Sequence, residues 1–178
     1  MAPRGRAADS INSRREVIHG REPMMIRTYR KRDIPVISRL YYDTIHRVNC
    51  TDYTREQLEA WAPSIPSDDF WRNRFNRYVV YVAEQASQIV GFTEWETTGH
   101  IDCFFVHHEW QRRGVGTSLM KRVETSAGRR RIRRLFAEVS LTAKPFFLGR
   151  GFRIVRQKAA VRDGVALDQY VMEKWLGG

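Results

Sequence analysis

Apolar residues recur along this chain with two different periods, and the switches between them outline its elements. Residues 25–30 alternate apolar and polar, which predicts an opening strand. Ile34, Ile37, Leu40, Tyr41, Ile45 and Val48 then fall at helical spacing, with Asp33 as N-cap and Pro35 in the first turn. Thr54 and Gln57 have capping-box spacing ahead of Leu58 and Trp61, and Pro63 ends that helix. Ser67 caps a third short helix carrying Phe70, Trp71, Arg74 and Phe75. Residues 78–84, 88–96 and 100–107 read as three successive strands. A helical pattern runs to about Ala127, and 134–140 is a near-continuous apolar strand of the kind covered on both faces. Residues 143–148 predict a short helix ended by Gly149 and Gly151. Residues 152–161 and 166–175 predict a hairpin around Arg162, Asp163 and Gly164. This order is that of one mixed α/β domain, with the helix after Gly116 as crossover between two parallel strands. Residues 1–22 show no sustained period and read as a mobile basic extension, leaving 23–178 as the domain.

The densest chemistry lies between the third strand of that block and its crossover helix. The apolar run 101–106 leads into Gln111, Arg112, Arg113, Gly114, Val115, Gly116 and Thr117. Glycines at such a turn leave backbone N–H groups uncovered, and a helix N-terminus adds partial positive charge. Two arginines add full charges beside them. The stretch predicts a pocket for a phosphate or pyrophosphate. It is not the GxxxxGK[ST] loop, because Thr117 follows Gly116, and it is not GxGxxG, because Leu119 stands where the third glycine belongs.

Composition narrows the class. The chain has 178 residues, 42% of them hydrophobic and 12% aromatic, which suits one globular domain. No apolar run approaches the roughly 18 residues that span a bilayer, and the N-terminus lacks the apolar segment of a secretory signal. Cys50 and Cys103 are far apart and outside any CxxC, so neither a disulfide framework nor a zinc site is expected, and a reducing cytoplasm is the simplest compartment. Net charge is +11. Up to residue 24, five arginines face three carboxylates, so the excess belongs to the domain. Such a field attracts polyanions, a highly charged cofactor among them.

The Q-x-x-G-x-G pattern, in its strand–loop–helix setting, resembles the acetyl-CoA loop of the GCN5-related N-acetyltransferase (GNAT) superfamily. The resemblance extends from Met25 to Leu176 and includes the stretch from Ala143 to the Gly151–Phe152 turn. It implies a GNAT-like, mostly antiparallel sheet flanked by helices, with a central parallel strand pair splayed around the cofactor. It implies acetyl-CoA as acyl donor, no metal, and a primary amine as acceptor. Backbone groups of Phe104, Phe105 and Val106 would pair with the pantetheine amides, and an N–H near Val106 would stabilise the oxyanion. Gln111, Arg112, Arg113, Gly114, Val115, Gly116 and Thr117 would hold the pyrophosphate. Ser140 stands where many relatives have Asn, and Lys144 and Phe147 belong to the helix that closes the cleft.

Phe147 is a departure, because many relatives carry Tyr there as general acid for the leaving thiolate. With a thiol pKa of about 8.5 the thiolate leaves tolerably near neutrality, so slower chemistry, a solvent donor or another donor such as Tyr170 is expected rather than abolition. The amine must also shed a proton. Glu94 and Glu96, two apart on one strand, are the leading carboxylates, with Glu94 preferred; Asp102 is a further cleft candidate. Either glutamate reads equally well as a solvent-facing strand residue, and Asp102 as a structural hydrogen-bonding group.

Other conspicuous residues read more plainly. His107 and His108 are adjacent on a strand, so they should face opposite ways and share no ion. The six-residue run at 129–134, basic except for Ile132, reads as a solvated helix end, with RNA or an acidic protein as the alternative partner. Tyr41, Tyr42, Tyr53, Trp61, Phe70, Trp71 and Phe75 fall mostly at helical core spacing and read as core, some of them walling the acceptor site with His46 and Asp52. Two further functions stay open beside the acetyltransferase: an RNA- or ribosome-associated protein, suggested by the basic charge, and an acyl-CoA sensor, suggested by Phe147. Both monomer and homodimer fit.

Overall fold

The computed structural model describes residues 23–177, and the segment 1–22 lies outside the described residues. Strand β1 (Met25–Thr28) is followed by helices α1 (Ile34–Arg47), α2 (Arg55–Trp61) and α3 (Asp68–Phe75). Strands β2 (Val79–Gln85), β3 (Gln88–Trp95) and β4 (Ile101–Val106) come next, then helix α4 (Val115–Arg129) and strand β5 (Arg134–Ser140). Helix α5 (Lys144–Gly149) and the hairpin β6 (Arg153–Arg162) and β7 (Val165–Trp175) complete the domain. Among these described residues no helix is long and apolar enough to cross a membrane.

The local signals act largely as their chemistry predicts. Thr54 Oγ1 accepts from the Gln57 N–H at 3.2 Å while Gln57 Oε1 accepts from the Thr54 N–H at 2.9 Å, a reciprocal capping box. Ser67 Oγ accepts from the Phe70 N–H. Ala86 and Ser87 both take positive φ, the geometry of the tight turn that joins β2 to β3. Asp33 is the exception. It precedes α1 but makes no cap bond to it, because its carboxylate accepts from Arg27 at 2.6 and 3.2 Å and from the Arg30 N–H at 2.6 Å. An ion pair to β1 outcompetes the helix.

The strands form two antiparallel sheets, β1-β2-β3-β4 and β5-β7-β6. Their only ladder contact among the described residues is a parallel bridge between His100 and Phe136. β5 is therefore not a central strand covered on both faces. Leu135, Ala137 and Val139 are buried under α4, whereas Phe136, Glu138 and Ser140 are half-buried on the other face. The fold is the expected mixed α/β sheet with helices on its faces.

Two apolar clusters hold the sheet from opposite sides. Leu119, Met120, Val123 and Ala127 of α4, all fully buried, pack on Trp95, Ile101, Leu135 and Met172. Ile34, Ile37 and Leu40 of α1 and Trp71 and Phe75 of α3 pack on Val82, Phe92 and Cys103. Gly91 lets α4 approach: a Cβ there would lie 2.8 Å from Val115 and 3.0 Å from the Phe105 carbonyl.

Glu173 ties the second sheet together. Its carboxylate on β7 accepts from Arg153 of β6 at 2.6 Å and from Arg134 of β5 at 2.8 Å. Hydrogen bonds from Arg153 and then Arg134 hold its pKa below the ordinary carboxylate value. A carboxylate lowered in the fold contributes its stabilisation above its unfolded pKa, about 4.3, and loses it as pH falls through the folded value. Glu173 should thus contribute to the fall in thermal midpoint below about pH 4.3, and Glu173→Gln should flatten that acid limb. An identical acid limb in the variant would remove Glu173 from this role.

Candidate active site

Beyond His100 and Phe136 the strands β4 and β5 diverge, and the direction of their main-chain groups follows from parity. The His107 N–H donates to the Val90 carbonyl at 2.9 Å, continuing the register in which Gly91 faces Val106. In an antiparallel ladder every second residue bonds the neighbour. Cys103 and Phe105 therefore bond β3, while the N–H and C=O of Phe104 and Val106 point the other way. On β5, the Phe136 N–H donates to the Gly99 carbonyl at 3.0 Å, and the Leu176 N–H reaches Arg133 on the opposite edge. Glu138 and Ser140 thus turn their main-chain groups toward β4. Two half-ladders face each other across a cleft of about 670 Å³.

Val106 is prepared in one further way. Its carbonyl accepts from Gln111 Nε2 at 2.7 Å and from Thr44 Oγ1 at 3.2 Å. With the acceptor doubly satisfied, the N–H is the group Val106 offers to the cleft. Gln111 therefore fastens the loop to the end of β4 and spends its amide there. Phe105, expected to offer main-chain groups as well, gives them to β3, and its ring packs against Tyr41 and Phe92.

The loop adds further main-chain groups to the cleft. Gly114 takes φ +84°, in the left-handed region that glycine tolerates, and its side has nothing within 4 Å. Helix α4 starts immediately after it with no side-chain cap. The Ser118 N–H is the first to reach back, to the Gly114 carbonyl, so the N–H groups of Val115, Gly116 and Thr117 lack intrahelical partners. All three residues line the cleft. Gly116 must be small, since a Cβ would meet the Phe146 ring at 3.0 Å. Arg112 lines the cleft, whereas the Arg113 guanidinium lies over the Trp110 ring, 5.1 Å from its centroid.

Charge is sorted along the cleft. Arg112 and Arg150 line it near the α4 and α5 ends, and Asp102 and Glu138 line it nearer the point where the strands meet. Glu138 accepts from His100 Nε2 at 2.7 Å and from Lys158 at 3.3 Å. Burial works to raise its pKa, but those two partners bring it below the ordinary value. Asp102 pairs with Arg74 and accepts from the Tyr78 hydroxyl at 3.3 Å.

The remaining candidates separate. Glu94 is fully buried, pairs with Arg74 and does not line the cleft, and burial raises its pKa despite that partner. Glu96 lies past the end of β3, beside Thr98. Tyr170 carries the Lys144 ammonium over its ring at 4.1 Å, and neither residue lines the cleft. Phe147 lines it and is otherwise buried among Phe104, Phe146 and Phe152. Ser140 lines it with an Oγ that accepts from the Ala143 N–H at 3.1 Å.

His46 bonds the Ala62 carbonyl and Asp52 accepts from Thr51, so neither reaches the cleft, whereas Trp61 does. His107 and His108 do not face opposite ways. They lie past the end of β4 in a helical turn, their rings stack at 4.3 Å, and their ligand atoms come within 4.8 Å of one another and of Glu109. Strand alternation fails there because the strand has ended, and His108 Nε2 is occupied by Arg47 at 3.1 Å. In the basic run Arg129, Arg130, Arg131 and Arg133 are exposed, while Arg134 serves Glu173. Sequence reasoning missed Thr44, Glu138, Thr142 and Gln169 as cleft residues. For Glu138 a signal existed: it alternates with buried Ala137 and Val139 and so had to face the other side.

Comparison with known proteins shows the family of the chain. The acetyltransferase (GNAT) domain family matches residues 49–174, and the chain belongs to that family. It is an acyltransferase. An uncharacterised N-acetyltransferase of Escherichia coli K12, YafP, is 29% identical over 149 residues, which is 84% of this chain and 94% of that one. A GCN5-related N-acetyltransferase from Rhodopseudomonas palustris, described also as a class-II aminotransferase, superposes with a TM-score of 0.82 at 28% identity over 88% of this chain and 98% of its own. A Salmonella typhimurium acetyltransferase solved with acetyl-CoA shares the fold at TM-score 0.66 and 20% identity, over 88% of this chain and 96% of that one.

Arg74 serves two carboxylates at once, and its loss strands Glu94 inside the core. Arg74→Ala should cost about 3–5 kcal/mol in urea unfolding, and adding Glu94→Gln should restore part of it. A double variant no more stable than Arg74→Ala would mean that Glu94 is not held as an ion.

Proposed function

We propose that this protein is an acetyl-CoA-dependent N-acetyltransferase that passes the acetyl group directly to a primary amine of a small molecule or protein. The observation that carries this reading is the pair of facing half-ladders that ends at an uncapped helix N-terminus. A pantetheine arm has amides to complete such ladders, and a pyrophosphate suits three free N–H groups beside Arg112. That a protein of the same fold was solved with acetyl-CoA supports the fit. Bound in this way, the cofactor supplies an acetyl thioester.

The chain's own groups supply the rest. The Val106 N–H, which the ladder turns away from β3, stabilises charge on the attacked oxygen. As the amine nitrogen bonds the carbonyl carbon, the carbon–sulfur bond breaks and a thiolate leaves. The amine proton passes to a carboxylate, and Asp102 is the expected candidate that lines the cleft. Glu94 acts through Arg74, which touches both. Phe147 has no hydroxyl and Tyr170 does not line the cleft, so neither assists departure. The thiolate leaves unprotonated, as a group with a pKa of about 8.5 can near neutrality.

Calorimetric titration tests the cofactor, followed by thiol release with a panel of amines. Acetyl-CoA and CoA should bind in the micromolar range and ATP weakly. Gly116→Val, which sets a side chain against Phe146 and the free N–H groups, should weaken CoA binding by about ten-fold or more while the fold is kept. Absence of CoA binding by the wild-type chain would refute the reading, and binding without transfer to any amine would make the protein a sensor of acyl-CoA. Asp102→Asn should lower kcat by about a hundred-fold or more, with CoA affinity unchanged.

A further inference from the structure

Two buried carboxamides line the cleft, and the fold uses neither. Asn49 begins the short helical turn after α1 and Gln169 lies in β7; they are 5% and 9% exposed. Among the described residues neither side chain makes a hydrogen bond, and neither carboxamide is sealed from solvent. In side chains buried so deeply, the opening that both share is the cleft. Gln169 does not reach it by its main chain, since β7 is the central strand of its sheet and bonds β5 on one side and β6 on the other. A buried polar group without a partner is costly, and native folds rarely keep one without a use for it.

Register fixes which side of the cleft the two amides serve. Gln169 stands opposite Ser140 of β5, and opposed residues share a face. That face is turned away from α4, which covers Ala137 and Val139. Two residues earlier on β7, Leu167 packs with Ile45 of α1 and Leu58 of α2. Asn49 comes from the same quarter, and Tyr53 joins the two. Its N–H donates to the Asn49 carbonyl at 3.0 Å, and its hydroxyl donates to the Asp168 carbonyl at 2.6 Å. The free N–H groups that suit a pyrophosphate belong to α4, on the opposite face. A cofactor held there leaves the α1–α2 face to the acceptor.

Other polar groups of the cleft are already spent. Thr44 Oγ1 donates to the Val106 carbonyl, Asp102 holds Arg74, and Glu138 holds Lys158. The two carboxamides are uncharged, and each has N–H donors and a carbonyl acceptor. A diamine brings only donors and a free carboxylate only acceptors, so either would leave part of each carboxamide unpaired. An amide brings both, on separate atoms. Resting on the acetyltransferase reading, we infer that Asn49 and Gln169 bind the acceptor and set its class: a primary amine that carries an uncharged amide beside its amino group.

Thiol-release kinetics test this with alaninamide, alanine and 1,3-diaminopropane, compared at equal free-base concentration. Wild type should favour alaninamide in kcat/KM. Gln169→Met and Asn49→Leu, which remove the amide at similar size, should each raise KM for alaninamide about five-fold with kcat little changed. Together they should cut the preference for alaninamide over the diamine about ten-fold or more. CoA affinity should be the same in every variant, and neither single variant should melt below wild type, since each removes an unpartnered polar group. A lower melting temperature with unchanged selectivity would show structural amides and overturn the inference. Equal loss on all three acceptors, or weakened CoA binding, would overturn the assignment to the acceptor. A wild type that binds CoA but favours alanine or the diamine, or acetylates none of the three, overturns this inference alone. Failure of wild type to bind CoA would refute the acetyltransferase reading itself, and this inference with it.

Discussion

The structure depends on two parallel strands that meet at one bridge and then part. A sheet ordinarily satisfies its main-chain groups by pairing, and unpaired ones away from water are expensive. Here Phe104, Val106, Glu138 and Ser140 direct theirs into the gap. The gap stays open because separate clusters hold its walls: α4 packs beneath both strands, and α1 and α3 press on the first sheet from the far side. Thr44 of α1 and Gln111 of the loop both grip the Val106 carbonyl, so the same contacts that fix the wall also decide which of its groups is free.

Charge follows the same economy. A chain of net +11 might be expected to line its cleft with cations throughout. Instead the cations stand near one end and two carboxylates near the other, each carboxylate tied to a cation outside the cleft lining: Asp102 to Arg74, Glu138 to Lys158. In the proposed reaction this gives the anionic cofactor and the amine separate ends of one channel. The excess positive charge sits on exposed arginines such as Arg129, Arg131 and Arg133, where it acts at long range and is screened by salt.

What was legible in the chain was local chemistry. Gly114 and Gly116 announced a tight turn into a helix, Thr54 with Gln57 a capping box, and Asp163-Gly164 a hairpin; each depends on neighbours in sequence. What was not legible depended on distant partners. Asp33 looked like a cap until Arg27, on another element, claimed it. Glu94 looked like a base on a strand, but Arg74 lies 20 residues earlier and seals it. Gln111 looked like a ligand-binding amide, and nothing in its neighbours says that its Nε2 turns back to Val106. The splay of β4 and β5 was expected from the family resemblance alone, because no period in either strand tells that its partner is missing.

Phe147 and Thr142 complete one argument about α5. The helix gives the cleft an apolar ring where a hydroxyl would sit in many relatives, and that ring is packed against Phe104, Phe146 and Phe152. The turn into the same helix leaves the Thr142 hydroxyl buried and without a partner. The cleft wall at α5 is thus apolar, and the hydroxyl beside it is closed off from solvent.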